Sequence, residues 1–276
     1  MFQKTVIDRY LSQQDKELVA ARYAAYQKLF ADPDKQANIR ASKEEQYQEG
    51  FIRDLFCQVL GYTIKPEPGY NILTELKNET ENKNNARKAD GAIVLNGSTK
   101  AVIELKGTDT QDLDKVAKQA FDYKSHHENC PYVIVSNFER LRLYVETQIA
   151  FEEFRLFSLT EDRFALLYLL LSLPSVTADI PLKLKRETVS DEKEITDKFY
   201  ADYSAFKREL FDDLVANNPG TDKLLLFKKT QKLLDRILFI LFAEDRGLLP
   251  ANSSIGILHD WKTLRKMGYG QPLYEF

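Results

Sequence analysis

Apolar and polar residues alternate along this chain with a period that changes twice. From residue 4 to 30 the apolar positions Val6, Ile7, Tyr10, Leu11, Leu18, Ala21, Tyr26, Leu29 and Phe30 recur at three- and four-residue steps, which predicts a helix. "ADPDKQAN" breaks it. A second helix is predicted from about Ser42, where Ser-Lys-Glu-Glu-Gln resembles a capping box, to Gly61, a residue suited to end a helix. Its buried stripe is Phe51, Leu55, Phe56, Val59 and Leu60.

The period then falls to two. "NILTELK" at 71–77 predicts a strand, and "ETENKNNARK" predicts a polar, mobile loop. "GAIVL" and "KAVIELK" predict two strands joined at Asn96-Gly97, a strong hairpin signal. "DTQDLDKVAKQAFDYKSHH" predicts a helix with Leu113, Val116, Ala117, Ala120 and Phe121 on one face. "PYVIVSN" and "RLRLYVE" predict a fourth and a fifth strand. Helix, three strands, helix, two strands is the order of an α/β domain: a mixed central sheet flanked by helices. After about 158 the strands stop. "LTEDRFALLYLLLSL", "ITDKFYADYSAFKRELFDDLVANN", "KLLLFKKTQKLLDRILFILFAEDRG" and "ILHDWKTLRKMGY" predict helices, and "PSVTADIPLKLKRETVSDEKE" predicts a linker. The division is an α/β domain at 1–158 and an all-helical domain at 159–276. The uncapped, apolar ending "GQPLYEF" reads as an interior point of a longer protein.

Composition narrows the classes. A chain of 276 residues, 43% hydrophobic, can bury a sizeable core. Its net charge is −3, so any nucleic-acid surface must be local. Two cysteines far apart offer neither a disulfide framework nor zinc spacing. "MFQKTVIDRY" is no signal peptide, and "FALLYLLLSL" at 164–173 is too short to span a bilayer. The reading is a soluble, cytoplasmic protein.

The candidate chemistry lies in "KADGAIVLNGSTKAVIELKG". Asp90 opens the first strand of the hairpin, and Glu104 and Lys106, two residues apart, share a face of the second. Hydrolysing a phosphodiester needs a nucleophilic water and neutralisation of charge on the phosphate. A magnesium ion held by one or two carboxylates supplies much of this, and a nearby lysine orients the water. The Leu105 carbonyl could add a ligand. The same trio could equally be a charged fringe on a hairpin, with Asp-Gly a mere turn. Register separates the two readings. A strict two-residue loop at Asn96-Gly97 pairs Asp90 with Ile103 and turns it away from Glu104. A three-residue or bulged loop brings Asp90 level with Glu104 on one face.

Asp90 followed by Glu104-Leu105-Lys106 resembles the PD-(D/E)xK nuclease signature, with Ala89 where many members carry proline. "QEGFIRDLFCQVLGY" resembles the helix that precedes the core in restriction-type members, with Glu49 at the acidic position. Gln119 and Tyr123 match a Q-x-x-x-Y element, and "YVIVSNFERLRLY" resembles the following strand-turn-strand of type I restriction R subunits. "LLDRILFILFAEDRGLLP" resembles the helical connector of type IIG restriction-modification proteins. The F-x-G-x-G and N-P-P-Y motifs of their methyltransferase are absent from these residues.

The resemblance implies a restriction-endonuclease-like fold and a Mg²⁺-dependent DNA endonuclease module. Asp90, Glu104 and the Leu105 carbonyl would hold Mg²⁺, and Lys106 would activate or orient water. Glu49, with Glu45 as its competitor, would complete the acidic site, and Gln119 would hydrogen-bond near the metal or the scissile phosphate. The implied partners are double-stranded DNA, a second copy in a transient dimer on DNA, and C-terminal methyltransferase and target-recognition domains. S-adenosylmethionine would bind only in that missing C-terminal part. Arg87 and Lys88 flank the acids and could contact phosphates. Lys223, Lys228, Lys229, Lys232 and Arg236 form either a DNA-facing stripe or an ordinary charged face. Two other readings stay open: a catalytically inactive nuclease-fold DNA-binding or scaffold module, and an end-processing exonuclease.

Overall fold

The computed structural model describes residues 1–77, 88–250 and 252–270. The polar loop expected before Lys88, with Arg87, and the ending "QPLYEF" lie outside the described residues, as does the side chain of Lys88. The chain divides into two compact units, Met1–Glu192 and Lys193–Phe276.

The first unit is built on a mixed six-stranded sheet in the order β1 (Ile72–Lys77), β2 (Lys88–Leu95), β3 (Ser98–Leu105), β4 (Tyr132–Ser136), β5 (Arg140–Val145) and β6 (Phe151–Arg155). Only β3 and β4 run parallel; the other neighbours are antiparallel. The helix α5 (Leu113–Lys124) makes the crossover that a parallel pair requires. β6 lies beyond the five strands expected. Its sequence "FEEFR" is half charged, and only Phe154 is buried, so its alternation is faint.

Each face of the sheet has its own apolar cover. Leu113, Val116, Ala117 and Ala120 of α5 pack on Val133, Val135 and Tyr144. On the other face Ile93, Ala101, Ile103 and Leu105 join the main core. There they meet Tyr26, Phe30, Phe51, Leu55 and Phe56 from the N-terminal helices, and Phe164, Leu167 and Leu170 from α6 (Glu161–Leu171).

The N-terminal helices differ from expectation in phase and number. The stretch 4–30 is two helices, α1 (Lys4–Leu11) and α2 (Lys16–Phe30), because the Asp15 carboxylate accepts the Leu18 amide and starts a new helix. "ADPDKQAN" does end α2, but it also opens α3 (Pro33–Ala41). Asp32 caps that helix, and Pro33 occupies its first turn, where no amide is needed. The next helix starts at Glu44, one residue later than the Ser42 cap implied, with the Gln46 side chain accepting the Lys43 amide at 2.8 Å. This helix, α4 (Glu44–Phe51), passes directly into a π-helical segment, Ile52–Val59, in which the Leu60 amide donates to the Leu55 carbonyl at 3.0 Å. Gly61, at φ +86°, ends the segment in the left-handed conformation glycine tolerates.

The stretch "PSVTADIPLKLKRETVSDEKE" is helical rather than a linker. It forms α7 (Leu173–Thr177) and the first half of α8 (Ile180–Asn217). Val176, Pro181, Leu184 and Thr188 are buried at near-helical spacing beneath an otherwise charged surface. α6, α7 and residues 180–192 thus belong with the sheet, and the division placed at 158 falls inside the first unit.

The second unit is helical: the rest of α8, then α9 (Lys223–Asp245) and α10 (Ser253–Lys266). Among the described residues, no single helix is long and apolar enough to cross a membrane.

Candidate active site

The hairpin resolves the register question. Leu95 pairs with Ser98 across a two-residue turn, with Asn96 and Gly97 both at positive φ (51° and 78°). Such a turn would set Asp90 against Ile103. Between Ile93 and Val94, however, the register shifts. Val94 pairs with Thr99 and Ile93 with Ala101, so Lys100 is an extra, bulged residue. From there the ladder runs through Gly91–Ile103, which brings Asp90 to the level of Glu104. Gly91 sits in a tight place: a Cβ there would lie 3.1 Å from the Leu73 carbonyl and 3.2 Å from Ile52, so both neighbours would have to give way.

Five side chains, of Asp90, Glu104, Lys106, Glu44 and Gln119, converge at this end of the sheet. The Leu105 amide donates to Asp90 Oδ2 at 2.7 Å. Lys106 Nζ donates to Glu104 Oε1 at 3.0 Å and to Glu44 Oε1 at 3.2 Å, and lies 3.8 Å from Asp90 Oδ2. It also donates to the Leu105 carbonyl at 2.9 Å. From α5, Gln119 Nε2 donates to Glu104 Oε1 at 2.6 Å and to the Tyr123 hydroxyl at 3.1 Å.

Glu104 is the most buried acid of the group, 1% exposed, and its Oε2 has no hydrogen-bond partner among the described residues. Burial, then the neighbouring Asp90, push its carboxyl up to about 7, against the opposing pull of Lys106. Burial also raises Asp90, although the Leu105 amide and Lys106 favour its charged form. Burial pushes Lys106 down, but the carboxylates of Glu104, Asp90 and Glu44 outweigh it, and its value is raised.

A buried carboxylate oxygen with no donor is costly unless something positive fills the space. Among the described residues no three His, Cys, Asp or Glu side chains are grouped as a ready-made metal site. Two carboxylates and a backbone carbonyl do suit a hard cation that keeps part of its water shell. Asp90, Glu104 and the Leu105 carbonyl offer a donor set of that kind.

The helix acid beside Lys106 is Glu44. Glu49 points outward and pairs with Arg53 at 2.8 Å, its side chain 64% exposed. Glu45 and Glu49 line a groove beside Asp90, together with Gln48 and Glu75, but neither is among the carboxylates around Lys106. Gln48 donates to Glu44 at 3.1 Å and also supports Asp90. The resemblance placed the acid at Glu49, and its spacing to Gly61 presumes α-helical turns. That spacing crosses a π-helical segment, where each residue advances the helix by a smaller angle. A better signal was present: Glu44, Gln48, Phe51 and Leu55 follow each other at steps of four, three and four, so Glu44 continues the buried stripe.

His126 Nδ1 donates to the Asp122 carbonyl at 2.8 Å, at the C-terminus of α5, and Asn137 holds the β4–β5 turn by accepting the Arg140 amide at 2.7 Å. Both are turn and cap residues.

The family pattern described as "MmeI, N-terminal domain" matches residues 24–180. The matched stretch includes every residue of the cluster. No curated protein and no solved structure matches the chain.

Proposed function

Since the chain belongs to the MmeI N-terminal domain family, we propose that it is the DNA-cleaving module of a type IIG restriction-modification enzyme, a Mg²⁺-dependent endonuclease. The observation that carries this reading is the convergence of Asp90, Glu104 and Lys106, with a buried carboxylate oxygen left unpaired. Asp90, Glu104 and the Leu105 carbonyl would hold the ion, which when bound supplies charge neutralisation at the phosphate and a more acidic water.

The remaining roles fall to the chain's own groups. Lys106, cationic and confined among carboxylates, orients the attacking water and offsets negative charge developing on the phosphate. Gln119 fixes the rotamer of Glu104 by bonding Oε1, which leaves Oε2 directed away from its own partners. Glu44 holds Lys106 from the helix side. Double-stranded DNA is the substrate, and a transient dimer on DNA is the simplest way for one such site per chain to cut both strands.

The test is cleavage of plasmid DNA by the full chain in Mg²⁺, alongside Asp90→Asn, Glu104→Gln and Lys106→Ala. The reading requires cleavage by the parent and its loss in all three with folding retained. Undiminished cleavage in the variants would place the chemistry elsewhere.

A further inference from the structure

The Asp90–Glu104–Lys106 cluster lies between two grooves of opposite character. On the α5 side the groove is lined by Lys115, Lys118, Gln119, Asp122 and Tyr123. Its wall includes Gln119, which donates to Glu104, and Tyr123, whose hydroxyl accepts from Gln119, so this groove runs beside the cluster. Lys115 and Lys118 are exposed and one helical turn apart, on one face of the helix. Lys115 shares a surface pair with Asp112 at 3.3 Å; among the described residues Lys118 has no carboxylate partner. On the α4 side the groove is lined by Glu45, Glu49 and Glu75 in addition to Asp90, and Glu49 is paired with Arg53.

We infer that the strand carrying the scissile phosphate lies along α5, with the phosphates next to the reacting one on Lys118 and Lys115, and that the carboxylates of the α4 side keep the backbone off that groove. A polyanion follows the cationic wall, and each phosphate neutralised releases condensed counterions. Lys115, one helical turn before Gln119, and Lys118, which lines the same groove, are placed to hold phosphates adjoining the one that Glu104 and Lys106 address. The contact is with the backbone and carries no sequence information. This inference rests on the endonuclease reading for the position of the scissile phosphate.

The test is the salt dependence of binding to a fluorescent duplex by the full chain in Ca²⁺, together with steady-state cleavage in Mg²⁺. Lys115→Gln/Lys118→Gln should reduce the slope of log K against log salt by about 1.8, two phosphates at roughly 0.9 each. It should raise KM and leave kcat at saturation unchanged, the pattern of lost uniform binding. Lys115→Arg/Lys118→Arg should restore the slope. Unchanged slope and KM in the glutamine pair would overturn the inference. So would Glu45→Gln/Glu49→Gln tightening binding by more than the lysine pair weakens it, since the strand would then lie on the α4 side. Lysine-dependent binding without cleavage in Mg²⁺ or Mn²⁺ would sink the endonuclease reading and leave the docking surface standing.

Discussion

The Leu105 amide reaches Asp90 through the side chain, not through the backbone of β2: the paired ladder stops at Gly91–Ile103, and Asp90 Oδ2 takes the next donor at 2.7 Å. The candidate acid thereby serves as a hydrogen-bond partner of β3. Asp90→Asn keeps an acceptor for this amide and removes a charge that burial disfavours, so its urea midpoint should stay at or above the parent's. Asp90→Ala leaves the amide unpaired and should cost about 1–3 kcal/mol. Both should abolish cleavage. A melt in which Asn and Ala are equally destabilised would show that this bond contributes nothing.

Glu44 and Glu49 are distinguishable by substitution. Glu44→Gln removes one of three carboxylates around Lys106 and should slow cleavage on the order of 10²-fold, the size of losing one electrostatic contact at a reacting centre. Glu49→Gln breaks only an exposed pair with Arg53 and should change neither rate nor melting temperature appreciably. Rates measured side by side decide; a larger loss at Glu49 would reverse the assignment.

Glu104 makes the site pH-sensitive with a definite sign. Its carboxyl is raised in the fold, to about 7 from an ordinary 4.5, so folding favours the protonated form. This contributes a stability penalty that is absent below about pH 4.5, grows as pH rises, and is complete above about 7. Glu104→Gln should therefore melt higher than the parent at pH 8, and the difference should vanish near pH 4.5. A cation needs the carboxylate, so Mg²⁺ uptake at pH 6 should release close to one proton, and much less at pH 8.5. Calorimetry in buffers of different ionisation enthalpy reads this directly. Equal proton release at both pH values would contradict it.

Lys100 can be removed without disturbing the chemistry. Deleting this bulged residue leaves Ile93 opposite Ala101 and Asp90 level with Glu104, now in a regular ladder. The deletion loses the Lys100–Asp179 pair at 3.2 Å, worth about 0–1 kcal/mol at a partly exposed site. Cleavage should survive. Inserting one alanine between Val102 and Ile103 should instead turn Glu104 and Lys106 away from Asp90 and abolish it. Survival of activity in the insertion variant would refute the register argument.

The contrast between what the sequence disclosed and what it hid follows physical lines. Asn96-Gly97 announced the hairpin because two positive φ angles demand such residues. The bulge at Lys100 left no mark, since a bulge of this kind asks for no particular side chain. Asp90, Glu104, Lys106 and Gln119 were legible through their spacing and their resemblance to a nuclease signature, and the fold brings them together. Glu44 was missed because the switch from α- to π-helical bonding at Ile52 depends on tertiary packing. The start of α8 read as a linker because its buried positions are sparse and separated by charged residues. β6 was missed because its alternation is half polar.

The contacts of the cluster differ in how far they reach along the chain. Glu104 meets Gln119, and Asp90 meets the Leu105 amide, each across 15 residues; Lys106 meets Glu44 across 62. Closing a short loop costs less entropy than closing a long one. The hairpin and its crossover helix can therefore assemble Asp90, Glu104, Lys106 and Gln119 as a local unit, while α4 supplies Glu44 from a distance. A partly opened molecule that has released α4 would keep Asp90 and Glu104 together but remove one of the three acceptors that hold Lys106. On the endonuclease reading, Glu44 would act as a latch, coupling competence at the phosphate to the docking of α4.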